Sequence, residues 1–244
     1  MIIALLASFL NFSPAHAIIG GTPVPVDSDI ARTTVMLIGQ TSAGGFSCSG
    51  SILNDEWILT AAHCVIGVEK MVVVFAPSAP QSSWKDLFAD GSRIRHMIFV
   101  NHNVDYPTTR LGEMRPHNDV GLVRFVGGLV SGYHPVTILD PSVLNDYVAK
   151  NSQTVIAGYG IRTADGDDSG ILYGTTIPIQ KAMAKEITIG LPQDVACHGD
   201  SGGPAFVNVN GRFYQWGIAS RSDCSNFSIY TPLKSNFYGQ MARP

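Results

Sequence analysis

The sequence predicts an all-β fold divided into two halves. Short runs rich in β-branched and aromatic residues recur along the 244 residues, and the 25 glycines and 14 prolines are spread between them rather than clustered. Apolar residues make up 45% of the chain and charged residues only 14%, so the chain can bury packed cores. This length suits one large all-β domain or two compact subdomains, and the predicted division lies near 127–141.

The predicted strands are separated by turn signals such as Asp90-Gly91 and Asn210-Gly211. They cover 33–38, 57–60, 71–75, 94–100, 120–125, 153–157, 177–179, 205–208, 214–219 and 228–231. A helical period is found at 233–241 and, more weakly, at 143–150. The net charge of −3 and the absence of a Lys/Arg block argue against a nucleic-acid partner.

The N-terminal segment has the features of a signal peptide. An apolar run over 2–10 is followed by the small-residue motif Ala15-His16-Ala17, which predicts a signal peptide over 1–17 with cleavage after Ala17. The run is much shorter than the ~20 residues of a membrane-spanning helix, so we expect no membrane anchor after cleavage. The mature chain, 18–244, is therefore expected to be secreted or periplasmic.

Export would allow the four cysteines to oxidise. Among the possible pairings, the local pairs Cys48–Cys64 and Cys197–Cys224 each close a short loop. Each such bridge is worth about 3 kcal/mol in the loop-entropy model. A zinc site is the alternative, but the sequence has no Cys-x-x-Cys motif or close Cys/His cluster, so we expect two disulfides and no metal.

The strongest chemical signal is a Gly-Asp-Ser-Gly-Gly-Pro run that begins at Gly199 and contains Ser201. A serine hydroxyl is a weak nucleophile until a base takes its proton. Flanking glycines allow backbone N–H groups to approach a developing oxyanion. The Gly-x-Ser-x-Gly pattern also occurs in α/β-hydrolases, but these need a histidine after the serine, and this chain has none beyond His198.

Two earlier segments supply a candidate base and its acidic partner. His63 follows the apolar strand 57–60, has small neighbours and precedes Cys64, whereas His96, His102 and His134 are interpreted as structural. Asp119 stands at the start of the strand 120–125. By itself Asp119 would be interpreted as a turn residue. Its position in the sequence between His63 and Ser201 makes it a candidate catalytic residue.

Together these segments resemble the chymotrypsin/trypsin-like serine protease family. The matching segments lie at 18–21, 48–64, 118–125, 157–160, 197–204 and 216–217. They occur in order and extend to about 232, so the resemblance covers nearly the whole mature chain. It implies a trypsin-like fold with two six-stranded antiparallel β-barrels, over about 30–130 and 140–232. The active site would lie in the cleft between them, and a C-terminal α-helix would cover 233–241.

The resemblance also implies a role for each matching residue. Ser201 would be the nucleophile and His63 the general base, while Asp119 would fix the histidine tautomer. The backbone N–H groups of Gly199 and Ser201 would form the oxyanion hole. The expected reaction is hydrolysis of peptide bonds through an acyl-enzyme intermediate, without a cofactor.

Activation in this family depends on a freed N-terminus that pairs with the aspartate before the nucleophile. Here those groups would be Ile18 and Asp200. Because the predicted cleavage after Ala17 exposes Ile18 directly, signal peptidase alone would produce the active enzyme.

The family alignment places the primary specificity pocket at Val195, Ala196, Trp216, Gly217 and Ser228. A trypsin-type pocket would have a carboxylate in place of Val195. An apolar floor and an open wall at Gly217 instead predict an apolar or aromatic residue before the scissile bond.

Two departures from the family pattern leave alternatives open. Asp194 or Asp223 could turn into the pocket and change its preference. Gln215 replaces a serine that commonly bonds the catalytic aspartate, which favours the main alternative, a catalytically weak or inactive binding protein with the protease fold. A secreted esterase is a further alternative. The expected partners are protein or peptide substrates and protein protease inhibitors, and a monomer is expected.

Overall fold

The computed structural model describes residues 18–107, 117–150, 152–161, 169–183 and 185–234. Within these ranges the chain forms two closed, six-stranded antiparallel β-barrels and few helices. The predicted fold class is therefore confirmed. The predicted signal peptide at 1–17 lies outside the described residues, as does nearly all of the predicted C-terminal helix at 233–241.

A short strand precedes the first barrel. The elements are β1 (Thr22–Pro23), followed in the barrel by β2 (Thr34–Thr41), β3 (Gly44–Ile52), β4 (Trp57–Thr60), β5 (Lys70–Val74), β6 (Ile94–His102) and β7 (Gly121–Phe125). The barrel closes in the order β2-β3-β4-β7-β6-β5. Its interior is filled by fully buried apolar side chains such as Leu37, Ile58 and Val123. Burial of this apolar surface is the main force that holds the barrel closed.

The second barrel is built in the same way. Its strands are β8 (Gln153–Gly158), β9 (Tyr173–Ala182), β10 (Ile187–Ile189), β11 (Pro204–Val209), β12 (Arg212–Ser222) and β13 (Ser228–Pro232). They run in the order β9-β10-β13-β12-β11-β8, and pairing of β8 with β9 closes the barrel. Strand β1 adds to the outer side of β9, with Thr22 opposite Gly174. The N-terminal segment is thereby held against the second barrel.

The described helices are short. They are α1 (Asp29–Thr33), α2 (Trp84–Asp90) and α3 (Pro141–Ala149), with 3₁₀ turns at Ala62–Cys64 and Gln81–Ser83. The start of α3 is fixed by Asp140, whose carboxylate accepts a hydrogen bond from the Ser142 N–H at 2.9 Å, and by Pro141 at the first helical position. This helix confirms the weaker helical prediction at 143–150. No helix in the described part of the chain is long and apolar enough to span a membrane.

Strand β3 shows where the sequence prediction is wrong. The sequence predicts no strand between 38 and 57, a segment that contains several glycines, which have low strand propensity. The fold needs small residues here. A Cβ atom on Gly50 would lie 2.6 Å from Cγ2 of Ile58, so glycine is what allows β3 and β4 to pack closely. Strand β10 and helix α2 likewise appear only in the structure.

The two barrels pack through a shared apolar layer. Met36 of the first barrel and Phe206 of the second lie in one cluster with Tyr159, and all three are almost completely buried. The Tyr159 hydroxyl donates a hydrogen bond to the Thr34 carbonyl oxygen at 3.2 Å. The cleft residues described next therefore lie on a fixed scaffold.

Candidate active site

His63 lies on the 3₁₀ turn that follows β4. The turn passes close to the start of β7, because a Cβ atom on Gly121 would lie 2.6 Å from the Ala61 carbonyl oxygen. The Cys48–Cys64 disulfide ties the turn to β3. The Sγ of Cys64 is 3.7 Å from the carbonyl oxygen of Ser201, which places the histidine turn against the serine loop.

Asp119 lies just before β7 and contacts His63 twice. Its Oδ2 is 2.8 Å from Nδ1 of His63, and its Oδ1 accepts the His63 backbone N–H at 3.1 Å. The Ser220 hydroxyl donates a third hydrogen bond to Oδ2 at 2.6 Å. Burial by itself would raise the pKa of Asp119, but the charge of His63 and the hydrogen bonds from His63 and Ser220 lower it below 3.8. The carboxylate therefore stays ionised and fixes the histidine ring.

Ser220, not Gln215, occupies the position next to the aspartate, which corrects the sequence interpretation. The Gln215 side chain donates to the Gly217 carbonyl oxygen at 3.1 Å and lies inside β12. The pairing of β12 with β13 shifts register between Ala219 and Arg221. Such a bulge redirects a side chain, here that of Ser220 towards the first barrel. The sequence could have identified this serine if the residues just before Cys224 had been aligned with the family from the disulfide cysteine backwards.

The loop around Ser201 presents two unpaired backbone donors. The His198 carbonyl oxygen accepts the Ile161 N–H at 2.8 Å, and the Asp200 carbonyl oxygen accepts an N–H from the following turn at 2.8 Å. Because each peptide is planar and trans, the N–H groups of Gly199 and Ser201 point away from these partners. Within the described ranges neither N–H has a protein acceptor. Two adjacent free donors of this kind could bind an oxyanion.

Ser49 of β3 holds this loop from the first barrel, and sequence reasoning missed it. It is completely buried. Its N–H donates to the Ser201 carbonyl oxygen at 2.8 Å, and its hydroxyl donates to the Gly199 carbonyl oxygen at 2.9 Å. The same hydroxyl accepts the Tyr159 N–H at 2.9 Å. Ser49 lies in the matching segment 48–64, but the sequence does not show its role because its partners come from distant parts of the chain.

Ile18 and Asp200 meet inside the second barrel, where neither has exposed surface. The Asp200 carboxylate accepts hydrogen bonds from the N–H groups of Gly160 at 2.8 Å and Cys197 at 2.9 Å, and also from Ile18. Burial raises the pKa of Asp200 to about 7, although these hydrogen bonds act in the opposite direction. Ile18 has a φ of 44°, which is unfavourable for a β-branched residue.

A cavity of about 170 Å³ opens beside Ser201. It is lined by Ala196, Cys197, His198, Ser201, Ala219, Ser220, Arg221, Ser222 and Cys224. Ser228, from the sequence-predicted pocket, is not among these lining residues but is fully buried next to two of them: its Oγ accepts the Ala196 N–H at 2.8 Å and donates to the Ser222 Oγ at 3.3 Å. Val195, from the sequence-predicted pocket, is fully buried and pairs with Ile19.

Trp216 and Gly217 are a second correction, since they lie in the barrel and not in the cavity wall. The Trp216 indole N–H donates to the Thr154 Oγ1 at 2.8 Å, and the side chain is 1% exposed. Gly217 is buried in β12 opposite Ala205 and Pro232. The residues of this strand that line the cavity lie further along it and include Arg221 and Ser222.

Asp194 and Asp223, which the sequence left as residues that could turn into the pocket, are not among the residues that line the cavity. The Asp223 carboxylate accepts N–H groups from its own loop, including that of Phe227 at 3.0 Å, and these hydrogen bonds lower its pKa to about 2 against the opposing effect of burial. Asp194 packs against the backbone of Gly20, where an added Cβ would lie 2.1 Å from its Oδ1.

The four cysteines form Cys48–Cys64 and Cys197–Cys224, so the local pairing is confirmed. Each disulfide lies near a histidine, His63 in one case and His198 in the other. Oxidised sulfur atoms are not available as thiolate ligands, so these two clusters do not make metal sites.

Comparison with known proteins supports the same interpretation of the fold. The family model described as Trypsin matches residues 18–238. Serine protease SSP1 of Scolopendra subspinipes is 28% identical over 222 residues, which cover 83% of this chain and 72% of that protein. Serine protease SP24D of Anopheles gambiae is 30% identical over 209 residues, covering 81% and 70%. Vitamin K-dependent protein C of Mus musculus is 26% identical over 216 residues, covering 78% of this chain and 44% of that protein.

A family match of this extent, on a chain with two closed barrels and a serine loop facing a histidine–aspartate pair, leads to one conclusion: the chain belongs to the trypsin family of serine proteases.

Proposed function

We propose that this chain is an exported serine endopeptidase in which Ser201, His63 and Asp119 carry out the chemistry. The observation that carries the proposal is the geometry of Asp119, which holds His63 through both its ring and its backbone, beside the serine loop. The intact contact with Ser220 removes the argument for an inactive homologue, which rested on Gln215 in that position.

The proposed reaction proceeds in two steps. His63 takes the proton of the Ser201 hydroxyl as its oxygen attacks the scissile carbonyl, and then gives that proton to the leaving amine. The oxyanion binds to the N–H groups of Gly199 and Ser201, each donor contributing roughly 3 kcal/mol. Water then attacks the acyl-enzyme with the same histidine as base, which releases the acid product and restores the serine.

We also propose that cleavage after Ala17 is the activating step. Ile18 would then carry an ammonium group in place of an amide, next to the buried Asp200 carboxylate. Its φ torsion would no longer exist, so the unfavourable backbone conformation at 44° would be relieved. Both effects favour the freed N-terminus in this position. Signal peptidase, acting at the predicted site, would make the enzyme active on export.

The cavity supports a preference for a residue with an apolar side chain before the scissile bond. No acidic side chain contributes to its described lining, which argues against selection of lysine or arginine. Ser228 is buried against Ala196 and Ser222 of the lining, and we expect its side chain to limit the depth of the cavity, so that aliphatic residues are favoured over aromatic ones. The sequence predicted an apolar or aromatic residue before the scissile bond, and the preference proposed here is narrower, for aliphatic residues.

Replacing Ser228 by glycine is expected to deepen the pocket. The ratio of kcat/KM for a phenylalanine substrate to that for a valine substrate should rise between about 10- and 100-fold, the usual effect of a fit difference of one or two heavy atoms. Ser225→Gly, in the exposed neighbouring loop, is the matched control. An unchanged ratio in Ser228→Gly would show that Ser228 does not set the depth.

The proposed function is tested by active-site labelling of the exported protein. A fluorophosphonate should label one residue, Ser201, as located by mass spectrometry, and Ser201→Ala should remain unlabelled. Hydrolysis of a peptide amide and of its ester by the same preparation separates a peptidase from an esterase. Labelling elsewhere, or ester hydrolysis without amide hydrolysis, contradicts the proposal.

A further inference from the structure

A third buried carboxylate, that of Glu186, bonds the cavity residue Arg221 and has no part in the reaction described above. It has no exposed surface and comes just before β10. Its two oxygens form a bidentate ion pair with Arg221, at 2.7 Å to Nη1 and 2.8 Å to Nη2. Its Oε1 also accepts the His117 backbone N–H at 3.3 Å and lies 3.9 Å from the His117 Nδ1.

The two partners of Glu186 belong to the two segments that meet at Asp119. Arg221 directly follows Ser220, and its half-buried side chain lines the cavity beside Ser201. His117 comes just before Asn118 and Asp119, and its ring packs edge-on against Tyr106. One carboxylate thus connects β12 of the second barrel with the aspartate segment of the first.

This arrangement is not explained by stability alone. Replacing a buried ion pair by well-packed apolar residues is often neutral or stabilising, because charged groups lose their hydration when buried. What a bidentate pair supplies is a fixed geometry for both partners. The Glu186–Arg221 pair lies next to Ser220, which must stay within hydrogen-bond distance of Asp119.

We propose that Glu186 and Arg221 are positioning residues, which clamp β12 to the 117–119 segment and thereby hold Asp119 against His63 and Arg221 in the cavity wall. The expected loss of catalytic rate rests on the proposed function, whereas the expected change in the protonation of the His63 ring does not. Among the described residues, the charged and titratable groups that face this region are His63, Asp119, His117 and Tyr106 from the first barrel, and Glu186 and Arg221 from the second. Asp105 also contacts the segment, since its Oδ2 accepts from Asn118 at 3.3 Å.

Loosening the clamp is expected to weaken the contact between Asp119 and His63. The ionised aspartate favours the protonated histidine, so the acidic limb of the kcat/KM profile should move to lower pH. Misplacement of a catalytic group by a fraction of an ångström should lower kcat between about 10- and 100-fold. Release of the Arg221 side chain from the wall should also raise KM.

Three variants separate positioning from folding. Glu186→Gln removes the acceptor charge, Glu186→Gln with Arg221→Gln removes both charges and leaves none buried alone, and Arg221→Lys keeps the charge without the bidentate geometry. The control is Glu56→Gln, which breaks a surface ion pair with Arg124 of 3.0 Å in the first barrel. For each folded variant, kcat and KM are measured per titrated active site across pH, and the His63 ring is titrated by NMR.

The first two variants should show a lower kcat per active site, a shifted acidic limb and an earlier loss of the His63 proton as pH rises, with Arg221→Lys intermediate and Glu56→Gln unchanged. A purely structural role would reduce the number of active sites and leave these quantities unchanged, and that result would overturn the inference. Failure of the proposed function would appear in the unmutated protein as absent labelling. The NMR titration would still decide the inference, because it needs no turnover.

Discussion

Replacing Asp119 by asparagine is expected to lower kcat by about 10⁴-fold, as in other triads of this type, with a much smaller effect on KM. In the structure, Asp119 accepts three hydrogen bonds, two from His63 and one from Ser220. Asparagine has one acceptor oxygen. If that oxygen keeps its hydrogen bond from the His63 backbone N–H, the amide NH₂ of the asparagine faces the ring Nδ1. Nδ1 must then accept a hydrogen bond, so the ring proton lies on Nε2. The ring can then no longer act as a base towards Ser201.

The measurement is kcat per labelled active site, with Asp55→Asn, an exposed carboxamide change in a surface turn, as control. Stability supplies a second observation. Because the folded pKa of Asp119 is lowered, its carboxylate stabilises the fold above the ordinary value of 3.8, and this contribution is lost as pH falls through the folded pKa. The unfolding free energies of the original protein and Asp119→Asn should therefore converge at low pH. A variant that keeps a kcat within tenfold of the original would refute the assigned role.

A chain that begins at Ile18 is expected to be about 10²- to 10³-fold more active than one that begins at Ala17. The two proteins differ by a single residue, but only the first has a charged amine beside Asp200. An uncompensated buried charge costs about 3–5 kcal/mol, and this is the energy available to hold the serine loop in its active form. Both chains are prepared with defined N-termini, and kcat/KM is measured at neutral pH. Equal activities would exclude the proposed activation.

The pH dependence of the same two chains provides an independent check. In the structure, where Ile18 is an amide, burial raises the pKa of Asp200 to about 7, above its unfolded value of 3.8, and we expect the same in the chain that begins at Ala17. The folded state then binds the proton more tightly, so stability should fall by about 4 kcal/mol between pH 4 and pH 7 and change little above. Asp200→Asn removes this slope and is the control. In the chain that begins at Ile18 the ammonium compensates the carboxylate, and activity should fade only when alkaline pH removes that proton, above its free pKa of about 8.

The fold and the candidate catalytic residues were accessible from sequence because their signals are local. Short apolar strands between turns predict an all-β fold, the resemblance to the trypsin-like family implies the two barrels, and His63 and Ser201 stand in short small-residue runs that match the family. The disulfide pairing was accessible for the same reason, since each bridge closes a short loop. Strand β3 was missed because its glycines and serines serve close packing against β4, which is not a property of the segment alone.

The specificity wall could not be placed because β12 is buried without interruption from Gln215 to Ser220. A strand covered on both faces lacks the alternation of apolar and polar residues that fixes its register. Trp216 therefore seemed as suitable for the wall as for the core, and only the pairing with β13 and the contact with Asp119 decided between them.

Sequence by itself thus determined the class of fold, the cysteine pairs and the candidate nucleophile and base, each from neighbours along the chain. The tertiary structure revealed Ser220, Ser49 and the Glu186–Arg221 pair, and it places Trp216 and Gly217 in the barrel instead of the cavity lining. The physical reason is distance along the chain. Ser220 bonds Asp119 101 residues away, and Ser49 bonds Gly199 150 residues away. Contacts of this kind exist only after the two barrels have packed together.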